Sequence, residues 1–270
     1  MSKISAIYKR NLINAITAAK IEGDVALMYS GGLDSFSLLM CCLEIGIRPH
    51  LYTFVQDGFM SEDLRIAKND AQLYHLPLTI VTIKSDIHSA YSDAKRAISF
   101  TKNAKKTVVQ NLIPYFYVLP LVKEKNILTG LSADDLWGTT RKQAIDGKTL
   151  TALNKMRAEA LNDKTNACYY VPKYIKAQGF NCIAPFRTQA LFNFFKTLTW
   201  DDCNKPKMKN FVYEEWSEYF NQHHIKRYHQ NAQVGSGVRE TQDKLLSSTY
   251  NTRGAKVIAA IYNDIKNVMK

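Results

Sequence analysis

One stretch near the N-terminus, residues 24–40, constrains the fold more than any other part of the chain. It begins with a short apolar run, residues 25–29, whose length suits a buried strand, and it restarts with helical spacing from Leu33 and Phe36 onward. Residues 30–33, Ser-Gly-Gly-Leu, must turn the strand into the helix. Two adjacent glycines permit a left-handed backbone and a close approach of the backbone to a ligand. The sequence therefore predicts a strand, a tight turn and a helix in immediate succession.

The turn has the chemistry of a site for a metal-bound phosphate. Backbone N–H groups at such a turn, together with the N-terminus of the helix that follows, attract phosphate. Asp34 would repel that anion unless a divalent cation lay between them. A Walker A loop would need a Lys-Ser/Thr pair after its last glycine, and a dinucleotide fingerprint would need a third glycine. The residues thus indicate a metal–pyrophosphate ligand, against the simpler interpretation of a serine- and glycine-rich turn.

Further strand patterns alternate with helical ones in the first half of the chain. Strands are predicted at residues 25–29, 51–55, 78–83 and 126–130. Such alternation predicts an α/β fold with a doubly wound parallel sheet, whose ligands bind at the carboxyl ends of the strands. Ser30 directly follows the first predicted strand, and Thr129 lies at the carboxyl end of the fourth.

The second half of the chain shows a different pattern. No strand is predicted after about residue 148, and helical patterns cover residues 151–163, 188–198, 207–220 and 254–269. We therefore expect a nucleotide-binding core over residues 1–147 and a helical region over residues 148–270 that packs on it, as parts of one continuous domain. Gly235-Ser-Gly237 is expected to be a surface turn rather than a loop that closes over a site.

Two motifs resemble those of a known superfamily. Residues 30–35, Ser-Gly-Gly-Leu-Asp-Ser, resemble the PP-loop of the ATP pyrophosphatases, enzymes that cleave ATP between the α and β phosphates. Residues 129–138, Thr-Gly-Leu-Ser-Ala-Asp-Asp-Leu-Trp-Gly, resemble the second signature of the asparagine synthetase family, although aspartates are also common at helix starts for dipole reasons alone. Residues 183–187, Ile-Ala-Pro-Phe-Arg, are similar to the Pro-Phe-Leu-Asp turn of that family, with Arg187 in place of leucine. The resemblance covers roughly residues 5–200.

The resemblance implies an adenine nucleotide alpha hydrolase-like fold and an adenylating ligase that uses ATP and Mg²⁺. In that family a substrate carboxylate attacks the α-phosphorus, pyrophosphate leaves, and ammonia or an amine converts the acyl-adenylate into an amide. By this resemblance the pyrophosphate ligands are Ser30, Gly31, Gly32 and Ser35, and the Mg²⁺ ligands are Asp34 and Asp134. Thr129 and Gly130 would line the AMP side of the site. The adenine would contact the backbone near Phe54 and Val55. A late lysine on the pyrophosphate is expected at Lys207 or Lys226, of which Lys226 joins Asp34 and Asp134 as a catalytic candidate.

Several positions depart from the family pattern. Leu131 replaces a glutamate that serves the carboxylate and amine chemistry, and Tyr29 stands where an aliphatic residue is usual. Thr139 and Thr140 stand where the family has a tyrosine. Asparagine is therefore not the expected product, and an amine-bearing substrate, as in β-lactam synthetase, is an alternative. No glutaminase domain precedes the PP-loop, so ammonia is expected free or from a separate glutaminase subunit.

Charge and cysteine content leave two other functions open. The chain carries 36 basic and 24 acidic residues, a net charge of +12, which would suit a nucleic-acid partner. The first alternative is accordingly a PP-loop enzyme that modifies tRNA or a nucleobase by adenylation, and the second is a degenerate nucleotide-binding protein. The five cysteines contain no Cys-x-x-Cys pair, so no disulfide framework or zinc site is expected. The longest apolar run, residues 112–122, is too short to span a membrane, and a cytoplasmic protein is expected.

Overall fold

The computed structural model describes residues 3–224, 227, 232–252 and 254–268. Its centre is a parallel sheet with the strand order β3–β2–β1–β4–β5. The strands are β1 Val25–Met28, β2 His50–Gln56, β3 Leu78–Ile83, β4 Asn126–Leu128 and β5 Asn181–Ile183. The chain runs outward from β1 to β3 on one side and then returns to the other side of β1 through β4 and β5. The order of the strands therefore reverses between β1 and β4, the position at which doubly wound sheets bind their ligands.

Helices cover both faces of the sheet. In chain order they are α1 Lys3–Thr17, α2 Leu33–Glu44, α3 Glu62–Leu73, α4 Ile87–Thr101, α5 Lys106–Val118, α6 Ala133–Trp137, α7 Arg141–Asp146, α8 Leu150–Asn162, α9 Ala167–Ala177, α10 Gln189–Phe195, α11 Trp200–Asn204, α12 Asn210–Glu215, α13 Ser217–His223, α14 Ala232–Gly235, α15 Val238–Tyr250 and α16 Ala255–Val268. Single turns of 3₁₀ helix lie at Leu119–Leu121 and Pro185–Arg187.

Alternate residues of each strand point into two separate apolar cores. Val25 and Leu27 of β1 face the first core, which α1, α2, α10 and α12 complete with side chains such as Tyr8 and Phe195. Ala26 of β1 faces the second core, which α4, α5, α9, α15 and α16 cover. Alternation of this kind follows from the two-residue repeat of a strand. The predicted fold class, a doubly wound α/β sheet with additional C-terminal helices, is confirmed.

The expectation that the second half contains no strand is wrong. Strand β5 pairs in parallel with β4 and extends the sheet. It has only three residues, of which Ile183 alone is fully buried, so it offers neither an apolar run nor an alternation to recognise. The predicted division into residues 1–147 and 148–270 stays a prediction.

The predicted helix over residues 207–220 is also interrupted. Residues 205–208 are not helical, and Lys209 adopts a left-handed backbone, with a φ of 58°, directly before α12. A second break at Trp216 separates α12 from α13. The five cysteines are free thiols. Over the described part of the chain, no helix has the length and apolar character that crossing a membrane requires.

Candidate functional site

The turn after β1 is built around Gly31. This residue has a φ of 75°, a conformation that costs other residues free energy. A Cβ atom placed on Gly31 would lie 2.9 Å from Cγ2 of Ile66 and 3.0 Å from the carbonyl oxygen of Asp63. Glycine is thus required here both by the backbone conformation and by the close packing against α3.

Two serine side chains organise the rest of this turn, which we call the first loop (residues 29–35). The Ser30 Oγ accepts a hydrogen bond from the Gly32 N–H at 3.3 Å, and the Ser35 Oγ donates to the Gly32 carbonyl at 3.1 Å. The two hydroxyl oxygens lie 3.3 Å apart. Gly32 precedes α2 without any side-chain cap, so the N–H groups of the first turn of α2 remain suited to an anion.

A second loop (residues 129–135) approaches the first loop from β4. The Thr129 N–H donates to the carbonyl of Ile183 at 3.0 Å, which ties the start of this loop to β5. A Cβ atom on Gly130 would lie only 3.3 Å from Cβ of Asp34. The residue type at position 130 therefore determines how closely the two loops approach at the switch point of the sheet.

Asp34 and Asp134 meet at a single cationic atom. The Lys209 Nζ lies 2.5 Å from Oδ2 of Asp34 and 2.7 Å from Oδ1 of Asp134, and the Thr139 hydroxyl donates to the same Asp134 oxygen at 2.9 Å. We call Asp34, Asp134 and Lys209 the outer cluster. The Lys209 side chain is 2% exposed, whereas those of Asp34 and Asp134 are 21% and 32% exposed. The Lys209 side chain is therefore enclosed by the protein, whereas the two carboxylates remain partly exposed to solvent.

The ammonium group of Lys209 is electrostatically stabilised. Burial by itself would lower the pKa of Lys209, but the carboxylates of Asp134 and Asp34 outweigh this effect and raise the pKa. The backbone is fixed as well, because the Lys209 N–H donates to Oδ1 of Asn204 at 3.2 Å. The Asn204 amide in turn donates to the carbonyl of Trp137 at 2.8 Å, at the end of the helix that carries Asp134. Lys209 is thus positioned as a permanently charged group.

The outer cluster fits a divalent cation. Two carboxylate oxygens that can both contact one small cation are a typical protein contribution to a Mg²⁺ site, in which water and substrate phosphates supply the remaining oxygens. Within the described ranges, no group of three or more His, Cys, Asp or Glu side chains could hold a metal ion alone. Asp34 and Asp134 would therefore hold Mg²⁺ together with a phosphate ligand.

A second charged cluster lies beneath the first loop. The Arg227 Nη1 donates to the carbonyl of Gly31 at 2.5 Å, and its Nη2 donates to both carboxylate oxygens of Asp70, at 3.0 and 2.8 Å. The Tyr219 hydroxyl donates to Asp70 at 2.5 Å, and the Tyr29 hydroxyl also donates to Asp70. We call Tyr29, Asp70, Tyr219 and Arg227 the inner cluster.

The inner cluster is fully enclosed. The side chains of Arg227 and Asp70 are both 0% exposed, and the guanidinium lies 4.0 Å from the centre of the Phe36 ring. Burial would lower the pKa of Arg227, but Tyr29 and Asp70 outweigh it and raise the pKa. Because its donors are distributed among a carboxylate, a hydroxyl and the Gly31 carbonyl, Arg227 fixes the backbone of the first loop. The unusual Tyr29 is explained as one of the partners of Asp70.

The structure brings together most of the residues that the sequence singled out. Ser30, Gly31, Gly32, Asp34 and Ser35 lie in the first loop, and Thr129, Gly130 and Asp134 lie opposite them. Phe54 and Val55 lie near the carboxyl end of the adjacent strand β2, where Phe54 packs against the second core. Their roles in nucleotide binding stay predictions.

The sequence predicts a lysine on the pyrophosphate at Lys207 or Lys226, whereas the structure places a different lysine beside the two aspartates. Lys226 lies outside the described residues, and the Lys207 Nζ lies over the ring of Tyr213, 5.2 Å from its centre. Lys209, two residues further on, contacts the two aspartates instead. Asp70 was also missed, although an aspartate on the buried stripe of α3 that contains Ala67 and Ala71 is a recognisable signal.

The expectation of a surface turn at Gly235–Gly237 is wrong. The Ser236 carbonyl accepts a hydrogen bond from the Gln56 N–H at 2.8 Å, and the Gly235 carbonyl accepts one from the Ser61 hydroxyl at 2.8 Å. A Cβ atom on Gly237 would lie 2.3 Å from the Phe59 ring. This turn packs closely against the carboxyl end of β2, which explains its glycines.

Comparisons with known proteins give a distant structural likeness. No family model matches the sequence, and no curated protein matches it. Among solved structures, the chain is similar to a predicted subunit of tRNA methyltransferase from Methanocaldococcus jannaschii, with a TM-score of 0.34 and 14% identity over 65% of this chain and 75% of that chain. A likeness this distant assigns no function.

Proposed function

We propose that the chain is an ATP-dependent enzyme that breaks the bond between the α and β phosphates and forms AMP and pyrophosphate. The observation that carries this proposal is the convergence of Asp34 and Asp134 on the Lys209 ammonium, beside the uncapped N-terminus of α2. An uncapped helix start binds phosphate, and carboxylates beside it are compatible with phosphate only when cations offset their charge. The geometry therefore suits a pyrophosphate with its metal ion.

Different residues of the site would contact different parts of the nucleotide. The N–H groups at the start of α2 and the hydroxyls of Ser30 and Ser35 would hold the β and γ phosphates, and Lys209 would offset negative charge on the leaving pyrophosphate. Mg²⁺, held by Asp34 and Asp134, would supply further charge stabilisation on the phosphate oxygens. Thr129 and Gly130 would lie beside the α phosphate, and Phe54 and Val55 beside the base.

The resemblance to asparagine synthetase supports an amide-forming ligase within this class. A substrate carboxylate oxygen would form a bond to the α-phosphorus while the bond to the β-phosphate oxygen breaks, which yields an acyl-adenylate and pyrophosphate. Ammonia or an amine would then form a bond to the acyl carbon, lose a proton and displace AMP. Leu131 cannot accept that proton, so the substrate differs from that of the family members with glutamate at this position.

The net charge of +12 favours a second candidate, in which the group that attacks ATP belongs to tRNA or to a nucleobase. A carbonyl oxygen of the base would then take the place of the carboxylate. The nucleotide site would be the same, so the two candidates differ in the acceptor alone.

The proposal is tested by pyrophosphate release from ATP and Mg²⁺ in the presence of amino acids, short carboxylates, ammonium salts or bulk tRNA. Asp34→Asn removes one carboxylate charge at the outer cluster and should lower the rate roughly 100-fold, a typical cost of removing one electrostatic contact from a transition state. Asp201→Asn is the matched control, because Asp201 is 62% exposed and pairs with Lys205 on the surface.

The acceptor that stimulates release distinguishes the candidates. Release that depends on a carboxylate and on Asp34 would support the ligase, and release that depends on tRNA would support the modification enzyme. ATP binding without release under every condition would contradict the proposed reaction and favour a nucleotide-binding protein.

A further inference from the structure

Helix α15 packs against β2 and carries a buried glutamine toward the second core. Its buried stripe consists of Val238, Gln242 and Leu246, of which the two apolar members belong to the second core. Gln242 is 2% exposed. Neither polar atom of its amide has a hydrogen-bond partner among the described residues. Since a buried amide is costly unless it is hydrogen-bonded, this position calls for an explanation.

A second glutamine in the same region shows the usual arrangement. Gln110 of α5 is also 2% exposed, but its amide donates to Oδ1 of Asp243 at 3.2 Å. Asp243 forms an ion pair with Lys106 as well, which fixes α15 against α5. The residue next to Gln242 in sequence is therefore anchored through its side chain, while the side-chain amide of Gln242 makes no hydrogen bond to the described residues.

Other unused polar atoms occur where α15 meets β2. The hydroxyl of Ser236, in the turn before α15, and Oε1 of Gln56, at the end of β2, also lack hydrogen-bond partners in the described part of the chain. The two residues are joined through the Gln56 N–H and the Ser236 carbonyl at 2.8 Å. Phe54, near the end of β2, and Leu131, in the second loop after β4, pack against the same core. Apolar walls with a few unused polar groups are typical of sites for small molecules.

We propose that Gln242 reads the base of the bound nucleotide and selects adenine. This inference rests on the proposed function and deepens it. Phe54 and Leu131 would contact the faces of the ring, and the Gln242 amide would accept a hydrogen bond from the 6-amino group and donate one to N7, the pairing that glutamine makes with adenine elsewhere. Hypoxanthine presents two acceptors, O6 and N7, on that edge, and one amide group can donate to only one of them in this geometry.

The test compares binding of ATP and of inosine triphosphate, both with Mg²⁺, by calorimetry. The wild-type chain should bind ATP about 10-fold more tightly than inosine triphosphate, as expected for one bidentate contact. Gln242→Met, which keeps the length of the side chain, should bind both nucleotides with the weaker affinity. Gln242→Leu serves as a second variant with a different shape. Gln110→Met is the matched control and should keep the preference for ATP.

Thermal unfolding without nucleotide gives an independent readout. Because the Gln242 amide has no partner to lose, Gln242→Met should unfold at the same or a higher temperature than the wild type, whereas Gln110→Met should unfold at a lower one. A Gln242→Met variant that loses stability as Gln110→Met does would show that a buried partner, such as water, satisfies the amide, and would overturn the inference.

The nucleotide results separate this inference from the proposed function. Both Gln242 variants retaining the preference for ATP would overturn the inference and leave the proposed function intact. Preference for ATP that depends on Gln242, in a chain that releases no pyrophosphate, would support the inference and contradict the proposed reaction. A wild-type chain that binds neither nucleotide would overturn both.

Discussion

The outer and inner clusters are built from similar charged groups but differ in their exposure to solvent. Each joins a basic side chain from the last third of the chain to an acidic side chain near the first loop: Lys209 to Asp34 and Asp134, and Arg227 to Asp70. In the outer cluster the acids are partly exposed, whereas in the inner cluster acid and base are wholly buried. The outer acids are therefore accessible to a further cation from solvent, while the inner pair is closed to solvent.

The difference is the one that the proposed function requires of a loop that is firmly held and also binds a charged ligand. A buried pair is stable only when nearly every donor and acceptor has a partner, and the inner cluster approaches that state through two tyrosines and the Gly31 carbonyl, although Nε of Arg227 has no hydrogen-bond partner among the described residues. A site that must admit phosphate cannot be so complete. The burial of Arg227 thus fixes the backbone, and the exposure of Asp34 and Asp134 leaves room for chemistry.

The largest loss of stability is expected for Arg227→Met. It leaves the Asp70 carboxylate buried without its base, and such a loss costs about 3–5 kcal/mol of unfolding free energy. Urea unfolding measures this cost. Arg65→Met is the control, because Arg65 pairs with Glu62 on the surface and its removal should cost less than about 1 kcal/mol. Equal losses in the two variants would contradict the structural role of the inner cluster.

Lys209→Met should have a smaller effect that Mg²⁺ reverses. The variant leaves two carboxylates facing each other, and because both are partly exposed we expect a loss of about 1–2 kcal/mol. A divalent cation can occupy the place of the ammonium group, so millimolar Mg²⁺ should restore stability to this variant and not to Arg227→Met. Urea unfolding in MgCl₂ and in NaCl of equal ionic strength measures the difference.

Lys205→Met is the matched control for that experiment. Lys205 is 64% exposed and pairs with Asp201 on the surface, so its loss should be small and insensitive to Mg²⁺. Mg²⁺ that stabilised both lysine variants equally would show that the outer cluster is not a cation site.

The smallest expected effect concerns Asp63, which lies beside the first loop and belongs to neither cluster. Burial, with a contribution from Glu62, raises the pKa of Asp63 to about 6. The folded chain thus holds this proton more tightly than the unfolded one, whose pKa is about 3.9. Protonated Asp63 therefore stabilises the folded chain fully below about pH 4, and this stabilisation is lost as the pH rises through about 6.

Asp63→Asn should remove that pH dependence. Because the carboxyl is partly accessible to water, we expect the variant to be more stable than the wild type by about 1 kcal/mol at pH 7 and equal to it near pH 4. Glu62→Gln is the control of opposite sign, since the hydrogen bonds from Arg65 lower the pKa of Glu62. Parallel pH profiles for wild type and Asp63→Asn would contradict the raised pKa.

The sequence predicted the parts of the site that depend on local pattern and strand order. A strand followed by two glycines and a helix located the first loop, and the alternation of strands and helices predicted that Ser30 and Thr129 would lie at the same edge of the sheet. The proximity of Asp34 and Asp134 followed from these two predictions. Strand β5 escaped because three residues with one buried position carry no periodic signal.

The partners of these residues could not be predicted, because they come from distant parts of the chain. Lys209 lies 175 positions after Asp34. That Lys209 rather than Lys207 contacts the aspartates depends on the left-handed backbone at residue 209, which no local pattern indicates. Gln242 likewise shows its unpaired amide only when its neighbours are known. In contrast, the position of Asp70 on the apolar stripe of α3 is visible in the sequence and indicates a buried, paired aspartate.

The hydrogen bond from Arg227 to Gly31 also has a consequence for biosynthesis. The two residues are 196 positions apart, so the first loop leaves the ribosome long before the arginine that fixes it is made. The strand and helix around the loop can form early, as N-terminal segments generally do during synthesis. The loop can gain its support only after most of the chain has emerged, and a truncated nascent chain should therefore bind the proposed nucleotide poorly.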